Sequence, residues 1–318
     1  MPTMTHHLES PALWLGIAAG FAAALMSAVS YLISRHHGSR GGSSLRLLVV
    51  AHTLMGLACL PAVALLWPAT VPTTARWIMP LVGSAISYLL GQAFVFAALA
   101  HADASRVAPL LGLKIAMLAG IVSCLPGDPL DLRQWLAVGL SVVAAVMLQR
   151  RGGLQSPALI LTLAACCTFA FSDLCIVGLI DGLQQAAAEA GLALGRVHAG
   201  VLAMTVTYVL CGGLAAPMLV TRQGWPRSSH DWTAAGCYAT TWLIGMASLY
   251  TCFGLIGAVF GNILQSTRGV MAIVMGAALA HLGWHGIETR VDRQTLLLRI
   301  VAAALMTAAI ALYVIDVA

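Results

Sequence analysis

The chain has 318 residues, of which 60% are hydrophobic and only 8% are charged, and its formal net charge is +5. Soluble proteins carry charge on about a quarter of their residues, so this composition excludes a soluble globular protein and requires a surface that mostly faces lipid. The positive charge comes without a basic tail and without basic residues interleaved with aromatic ones, so we expect no nucleic acid as a partner.

Apolar runs of membrane-spanning length follow one another along the whole chain. A spanning helix needs about 20 mostly apolar residues, and its backbone polar groups must be satisfied within the segment. Polar or turn-forming segments separate the runs, and 181–198 could add a short surface helix. We therefore predict an all-α membrane protein with ten transmembrane helices, at 12–34, 46–67, 77–100, 105–125, 134–149, 157–180, 198–220, 232–256, 259–282 and 295–315.

Side-chain chemistry predicts neither a metal centre nor a catalytic site. All eight cysteines lie within or at the edge of apolar runs, none forms a CxxC pair, and no histidine spacing is typical of zinc. We interpret the cysteines as small packing residues. The sequence has no paired acids, no HExxH or GxSxG motif and no nucleotide-binding loop, so we predict no enzyme, no primary pump and no cofactor.

An internal repeat divides the chain into two halves. The segment YLLGQAFVF (88–96) aligns with WLIGMASLY (242–250) at an offset of 154 residues (242 − 88), and the same offset places Lys114, the only lysine, on Arg268. We predict two five-helix repeats, 1–153 and 154–318. Because five is odd, the second repeat must enter the membrane in the opposite orientation, a plan that recurs in secondary transporters.

At this point the chain resembles the EamA-type, ten-helix members of the drug/metabolite transporter superfamily. The resemblance covers about residues 11–316 and is carried by the helix 3–4 stretch and by the stretch that ends in PLDLRQWLAVGLSVVAAVML. It implies two five-helix EamA-like repeats, a transport function and a bacterial inner (plasma) membrane. It also implies that Asp128 or Asp131 represents the family's common acidic residue in the helix 4–5 loop, with Glu288 in the matching loop.

The arginine distribution predicts the orientation in the membrane. The odd loops, which follow predicted helices 1, 3, 5, 7 and 9, carry most of the arginines. The positive-inside rule therefore places these loops in the cytoplasm and both termini outside. The resemblance implies the opposite alternative, with cytoplasmic termini. The arginines of the odd loops are Arg35, Arg40, Arg46, Arg106, Arg150, Arg151, Arg222, Arg227, Arg290 and Arg293.

Two cations are predicted near the middle of helices 4 and 9. A cation at helix centre costs about 2.5–3.5 kcal/mol on insertion scales, so Lys114 and Arg268 must face the bundle interior, a water-filled cavity or a partner. Asp173 is the only carboxylate clearly inside a span, and it cannot neutralise both cations. We therefore predict that Lys114 and Arg268 converge on an anionic substrate. The alternative is that buried acids or carbonyls hold each cation.

Further polar and aromatic residues are predicted to line the same cavity. Tyr88 and Gln92 share one face of helix 3, Trp242 is the repeat partner of Tyr88, and Asn262 and Gln265 precede Arg268. For most of them, interhelical hydrogen bonding is an equally ordinary role in membranes. Asp173 is either a proton-coupling acid or the counter-ion of one of the two cations.

These observations predict a secondary active transporter that moves a small anionic or zwitterionic metabolite by alternating access through a central cavity. A carboxylate, an amino acid and a phosphorylated compound all fit this description. The alternative is a translocase for an anionic lipid-linked head group. The expected partners are the small-molecule substrate and membrane lipid, with a homodimer as the alternative to a monomer.

Overall fold

The computed structural model describes residues 11–68, 71–99, 110–125, 130–149, 156–221 and 224–271, and short stretches between 274 and 312. Every regular element in this part of the chain is helical. The helices are α1 (Pro11–Ser39), α2 (Ser44–Leu66), α3 (Ala75–Leu99), α4 (Lys114–Cys124), α5 (Leu132–Gln149), α6 (Ser156–Glu189), α7 (Arg196–Ala215), α8 (Ser229–Ile256) and α9 (Ala258–Ser266). Further helical residues occur at 268–271 and between 297 and 312.

Six of these helices are long and apolar enough to cross a membrane, namely α1, α2, α3, α6, α7 and α8. The helices α4 and α5 are apolar but shorter. Each of the first nine predicted spans coincides with a helix in the described residues, although parts of the predicted spans 105–125, 259–282 and 295–315 lie outside them. The predicted all-α membrane fold is confirmed.

The sixth helix is longer than the sequence analysis predicted, and its predicted end at residue 180 is wrong. It continues to Glu189, because DGLQQAAAE consists largely of strong helix formers. Gly191 then ends it with a φ of 74°. The N–H of Leu192 donates to Ala187 and that of Gly191 to Ala188, at 2.9 and 3.0 Å, which is the bond pattern of a Schellman motif.

Helix packing follows the repeat. The most extensive contacts join α3 to α6 and α1 to α8. Under the 154-residue offset, α1 corresponds to α6 and α3 corresponds to α8. The α1–α8 interface therefore corresponds to the α3–α6 interface. The offset also pairs α2 with α7, which pack on each other. The packing follows the 154-residue offset, while the division into repeats 1–153 and 154–318 stays a prediction whose boundary lies outside the described residues.

The crossing of α2 and α7 brings two backbones into direct contact. A β-carbon built on Gly56 would lie 2.8 Å from the Cα of Gly212, and one built on Gly212 would lie 2.6 Å from the Cα of Gly56. Small residues allow this approach, which dispersion forces reward where no hydrophobic effect acts between helices. The crossing joins the two halves beside the cavity described next.

Candidate functional site

A cavity between the two halves contains the residues on which the sequence analysis concentrated. Its volume is about 50 Å³, and it receives side chains from α1, α3, α4, α6, α7, α8 and α9 and from residue 268. Its aromatic lining consists of Tyr31, Tyr88, Phe169, Tyr208, Trp242 and Tyr250. Its polar and charged lining consists of Gln92, Lys114, Ser172, Asp173, Thr207, Gln265 and Arg268.

Repeat-related residues face each other across this cavity. The offset of 154 residues pairs Tyr88 with Trp242 and Lys114 with Arg268, and all four residues line the cavity. Local breaks in the helices precede both cations. A 3₁₀ turn over Leu111–Leu113 leads into Lys114, and α9 ends at Ser266, two residues before Arg268. The two halves thus contribute matching cations to one cavity.

The lysine has an internal counter-ion. The side chain of Lys114 is 7% exposed, and its Nζ donates to Asp173 Oδ2 at 3.1 Å and to Gln265 Oε1 at 3.3 Å. Burial of an ammonium group without a partner would cost several kcal/mol, so this pairing accounts for a cation among apolar helices. The lysine is also 6.0 Å from the centre of the Phe169 ring.

The carboxylate of Asp173 is held by two donors from different helices. Asn262 Nδ2 donates to its Oδ2 at 2.8 Å, beside the bond from Lys114. Asn262 is 1% exposed and is not among the described residues that line the cavity. It therefore contacts the carboxylate from the protein interior and not from the cavity. This geometry matches the counter-ion role for Asp173, and its role in proton coupling stays a prediction.

The arginine is placed differently from the lysine. Its guanidinium carbon lies 5.6 Å from the centre of the Tyr31 ring, a cation–π distance. Among the described residues, none supplies a carboxylate within 4.0 Å of Arg268. With Lys114 and Arg268 charged and Asp173 ionised, the described lining carries one net positive charge.

Aromatic side chains form the walls of the cavity and bond to one another. Trp242 Nε1 donates to the Tyr208 hydroxyl at 2.7 Å, and the Tyr88 hydroxyl lies 3.0 Å from His52 Nε2. The ring centres of Tyr88 and Tyr208 are 5.9 Å apart. These bonds fix the ring orientations, so the walls are preformed and not assembled around a ligand.

Most of the predicted lining residues meet in this cavity, and the structure adds several that the sequence analysis missed. Tyr31 and Tyr208 were not singled out, although four of the six tyrosines in the chain line the cavity. Tyrosine is enriched at the membrane interfaces. The position of Tyr208 in the middle of the predicted span 198–220 was therefore a usable signal, whereas Tyr31 lies near the end of its span, 12–34.

The acidic residue of the helix 4–5 loop has a structural role here. Asp131 Oδ1 accepts from the backbone N–H of Gln134 at 2.7 Å, and Gln134 Oε1 accepts from the backbone N–H of Asp131 at 3.1 Å. This reciprocal pair is a capping box at the start of α5. Asp128 and Glu288 lie outside the described residues.

Comparisons with known proteins agree with this architecture. A solved structure titled only "Crystal structure of protein" has a TM-score of 0.67 and 16% sequence identity, over 95% of this chain and 97% of that one. At this identity the likeness concerns the fold alone. A comparison with curated proteins found no match. The model of the EamA-like transporter family matches residues 14–150, so this segment confirms the predicted resemblance, and the long apolar helices make the chain an integral membrane protein.

Proposed function

We propose that this protein is a secondary active transporter of a small anionic or zwitterionic metabolite, in the inner (plasma) membrane of a bacterium. The observation that carries the proposal is the charge of the cavity, where two cations face one carboxylate. The match to the EamA-like transporter family over residues 14–150 supports a transporter of the drug/metabolite type, and the charged lining supplies the argument for an anion.

Arg268 is the group that would anchor the anion. Its planar fork can bind a carboxylate or a phosphate through two parallel hydrogen bonds. Its contact in the described structure is the Tyr31 ring, and ring contact leaves the edge of a guanidinium available for such bonds. Lys114 already donates to Asp173 and Gln265, so it would contribute mainly through its charge.

The walls of the cavity favour a compact solute. A volume of about 50 Å³ is well below the range typical of small-molecule sites, so only a small solute would fit in this conformation. The aromatic rings offer contact to the apolar part of such a solute, while Gln92, Thr207 and Gln265 offer hydrogen bonds. A zwitterion would meet Asp173 with its ammonium group and Arg268 with its carboxylate.

The helix interfaces support alternating access. Transporters with two related halves move one bundle against the other around a central site. Here the extensive α1–α8 and α3–α6 interfaces each join one helix from the first half to one from the second. Rocking of the α1–α8 pair against the α3–α6 pair would open the cavity to each side in turn.

A thermal-shift screen tests the proposed anion site. The purified protein would be heated with monocarboxylates, amino acids and phosphorylated sugars, alongside Arg268→Gln, Arg268→Lys and the exposed control Arg133→Gln. We expect anions to raise the melting temperature of the parent and of Arg133→Gln. Arg268→Gln should lose this stabilisation, and Arg268→Lys should keep part of it because the charge remains.

Uptake by proteoliposomes then tests transport of the anions that stabilise the protein. We expect counterflow exchange by the parent and by Arg133→Gln, and none by Arg268→Gln at matched protein content. Equal stabilisation and exchange by Arg268→Gln would contradict the proposal. Stabilisation only by anions attached to a lipid tail would instead favour the translocase alternative.

A further inference from the structure

A second group of ionisable side chains lies outside the cavity, where α1 ends and α8 begins. His37 is in the last turn of α1, and His230 and Asp231 are in the first turn of α8. One ligand atom from each of these three residues lies within 4.8 Å of the others, and none of the three lines the cavity. The group joins the first half of the chain to the second.

His37 is buried, and its imidazole makes no hydrogen bond of normal geometry among the described side chains. Its side chain is 1% exposed. The ring stacks on His230, with 5.4 Å between the ring centres and an angle of 10°. Buried polar groups are almost always paired at hydrogen-bond distance, and His37 Nε2 has its carboxylate neighbour only at 3.6 Å, which leaves this nitrogen available to a closer ligand.

The two carboxylate oxygens of Asp231 contact different neighbours. Oδ2 accepts from the backbone N–H of Arg227 at 2.8 Å and lies 3.4 Å from Arg46 NH1. Oδ1 lies 3.6 Å from His37 Nε2. An ion placed between Oδ1 and the two imidazoles could therefore bind while Arg46 and the Arg227 backbone keep Oδ2 in position.

We propose that His37, His230 and Asp231 bind a divalent transition-metal ion of the Zn²⁺ type, which ties α1 to α8. Two imidazoles with one carboxylate form a ligand set that suits zinc and its neighbours in the first transition row. The hard ions Mg²⁺ and Ca²⁺ prefer oxygen ligands throughout. Ligand bonds of about 2.0–2.2 Å would draw the three side chains closer together than they are in the described structure.

The charges around Asp231 give a way to test this assignment. A bound ion of charge +2 would lie beside the single negative charge of Asp231, with the Arg46 guanidinium on the far oxygen. Removal of Arg46 should therefore strengthen metal binding, whereas removal of a ligand should weaken it. Opposite effects of the Arg46 and ligand substitutions on the metal affinity would distinguish coordination by these three side chains from general attraction of cations to the surface.

Calorimetric titration with Zn²⁺ tests the site on the full-length protein, purified in metal-free buffer after removal of any affinity tag. We expect binding at this site to be at least about tenfold weaker in His37→Gln and in His230→Gln, by analogy with losses at other metal sites. Arg46→Gln should bind more tightly than the parent. His198→Gln is the matched control, since His198 is exposed and contacts the Leu66 carbonyl.

Titration with Co²⁺ gives a second readout, because its absorption spectrum reports the coordinating atoms. We expect a spectrum of mixed nitrogen and oxygen ligation that disappears in His230→Gln and is not displaced by excess Mg²⁺. If His37→Gln does not fold, the half-buried His230 variant decides the outcome. If the parent, His230→Gln and Arg46→Gln all bind Zn²⁺ with the same affinity, the ion binds adventitiously and the proposal is overturned.

Discussion

Lys114 Nζ and Asp173 Oδ2 lie 3.1 Å apart, between α4 and α6, so the single lysine of the chain is neutralised inside the protein. Both side chains are buried, and both line the cavity. The pair allows a cation to reside among apolar helices, and it leaves Arg268 as the charge available to a ligand.

The first prediction concerns the stability of the ion pair. Replacement of one partner leaves the other charge buried alone, so Lys114→Met and Asp173→Asn should each destabilise the protein by about 3–5 kcal/mol. The double variant removes both charges and should lose less than the sum of the two. Unfolding of the purified proteins in detergent measures the three differences, and strictly additive losses would contradict the pairing.

The second prediction concerns the charge of the transported solute. Asp173→Asn removes the one carboxylate from the described lining and raises its net charge from one positive to two. We expect counterflow assays to show a preference shifted from monovalent towards divalent anions, because Coulomb attraction grows with the product of the charges. Arg133→Gln, outside the cavity, should leave the preference unchanged.

The same variant tests the proton-coupling alternative for Asp173. If Asp173→Asn keeps exchange but loses accumulation driven by a pH gradient, then the carboxylate carries the coupled proton. If the pH dependence is unchanged, Asp173 is a counter-ion only. The close contacts with Lys114 and Asn262 lead us to expect the second result.

The third prediction concerns the crossing of α2 and α7. A methyl group added at Gly56 or Gly212 would meet backbone atoms of the other helix at under 3 Å, and backbone cannot move aside as a flexible side chain can. We expect Gly56→Ala and Gly212→Ala each to destabilise the protein by about 1–3 kcal/mol and to reduce transport.

Gly213→Ala is the matched control for this crossing. Its added methyl group has no neighbour within 4 Å, and alanine favours a helix more than glycine does. Its melting temperature should equal or exceed that of the parent. A Gly212→Ala protein that is as stable and active as Gly213→Ala would show that the two backbones are not in contact.

The elements of the fold were largely predictable, because hydrophobic runs set the helices almost independently of tertiary structure. The prediction of 77–100 corresponds to α3 at Ala75–Leu99. The end of α6 was not predictable in this way. Its last nine residues are polar enough to read as a separate surface segment, and only the glycine motif after Glu189 marks the true end.

The charged residues of the candidate site could be predicted from the sequence, but the contacts among them could not. Depth in an apolar run identified Lys114, Arg268 and Asp173, but which cation Asp173 would pair with depends on helix rotation, which a single sequence does not record. The contact between Arg268 and Tyr31 joins positions 237 residues apart (268 − 31). His37 and His230 are 193 apart (230 − 37), so no local spacing could have revealed their cluster.

The last prediction concerns the aromatic wall. Trp242→Phe keeps a ring in place but removes the donor to Tyr208, which is 2% exposed. The Tyr208 hydroxyl keeps its interaction with Tyr88, so the loss of one hydrogen bond should cost about 0.5–1.5 kcal/mol of stability. Because the wall would contact bound solute throughout the cycle, we expect a higher KM for exchange with a nearly unchanged maximal rate. Trp14→Phe, at a site 61% exposed, is the control. A Trp242→Phe protein that matches this control in both stability and KM would show that the indole neither holds Tyr208 nor contacts the solute.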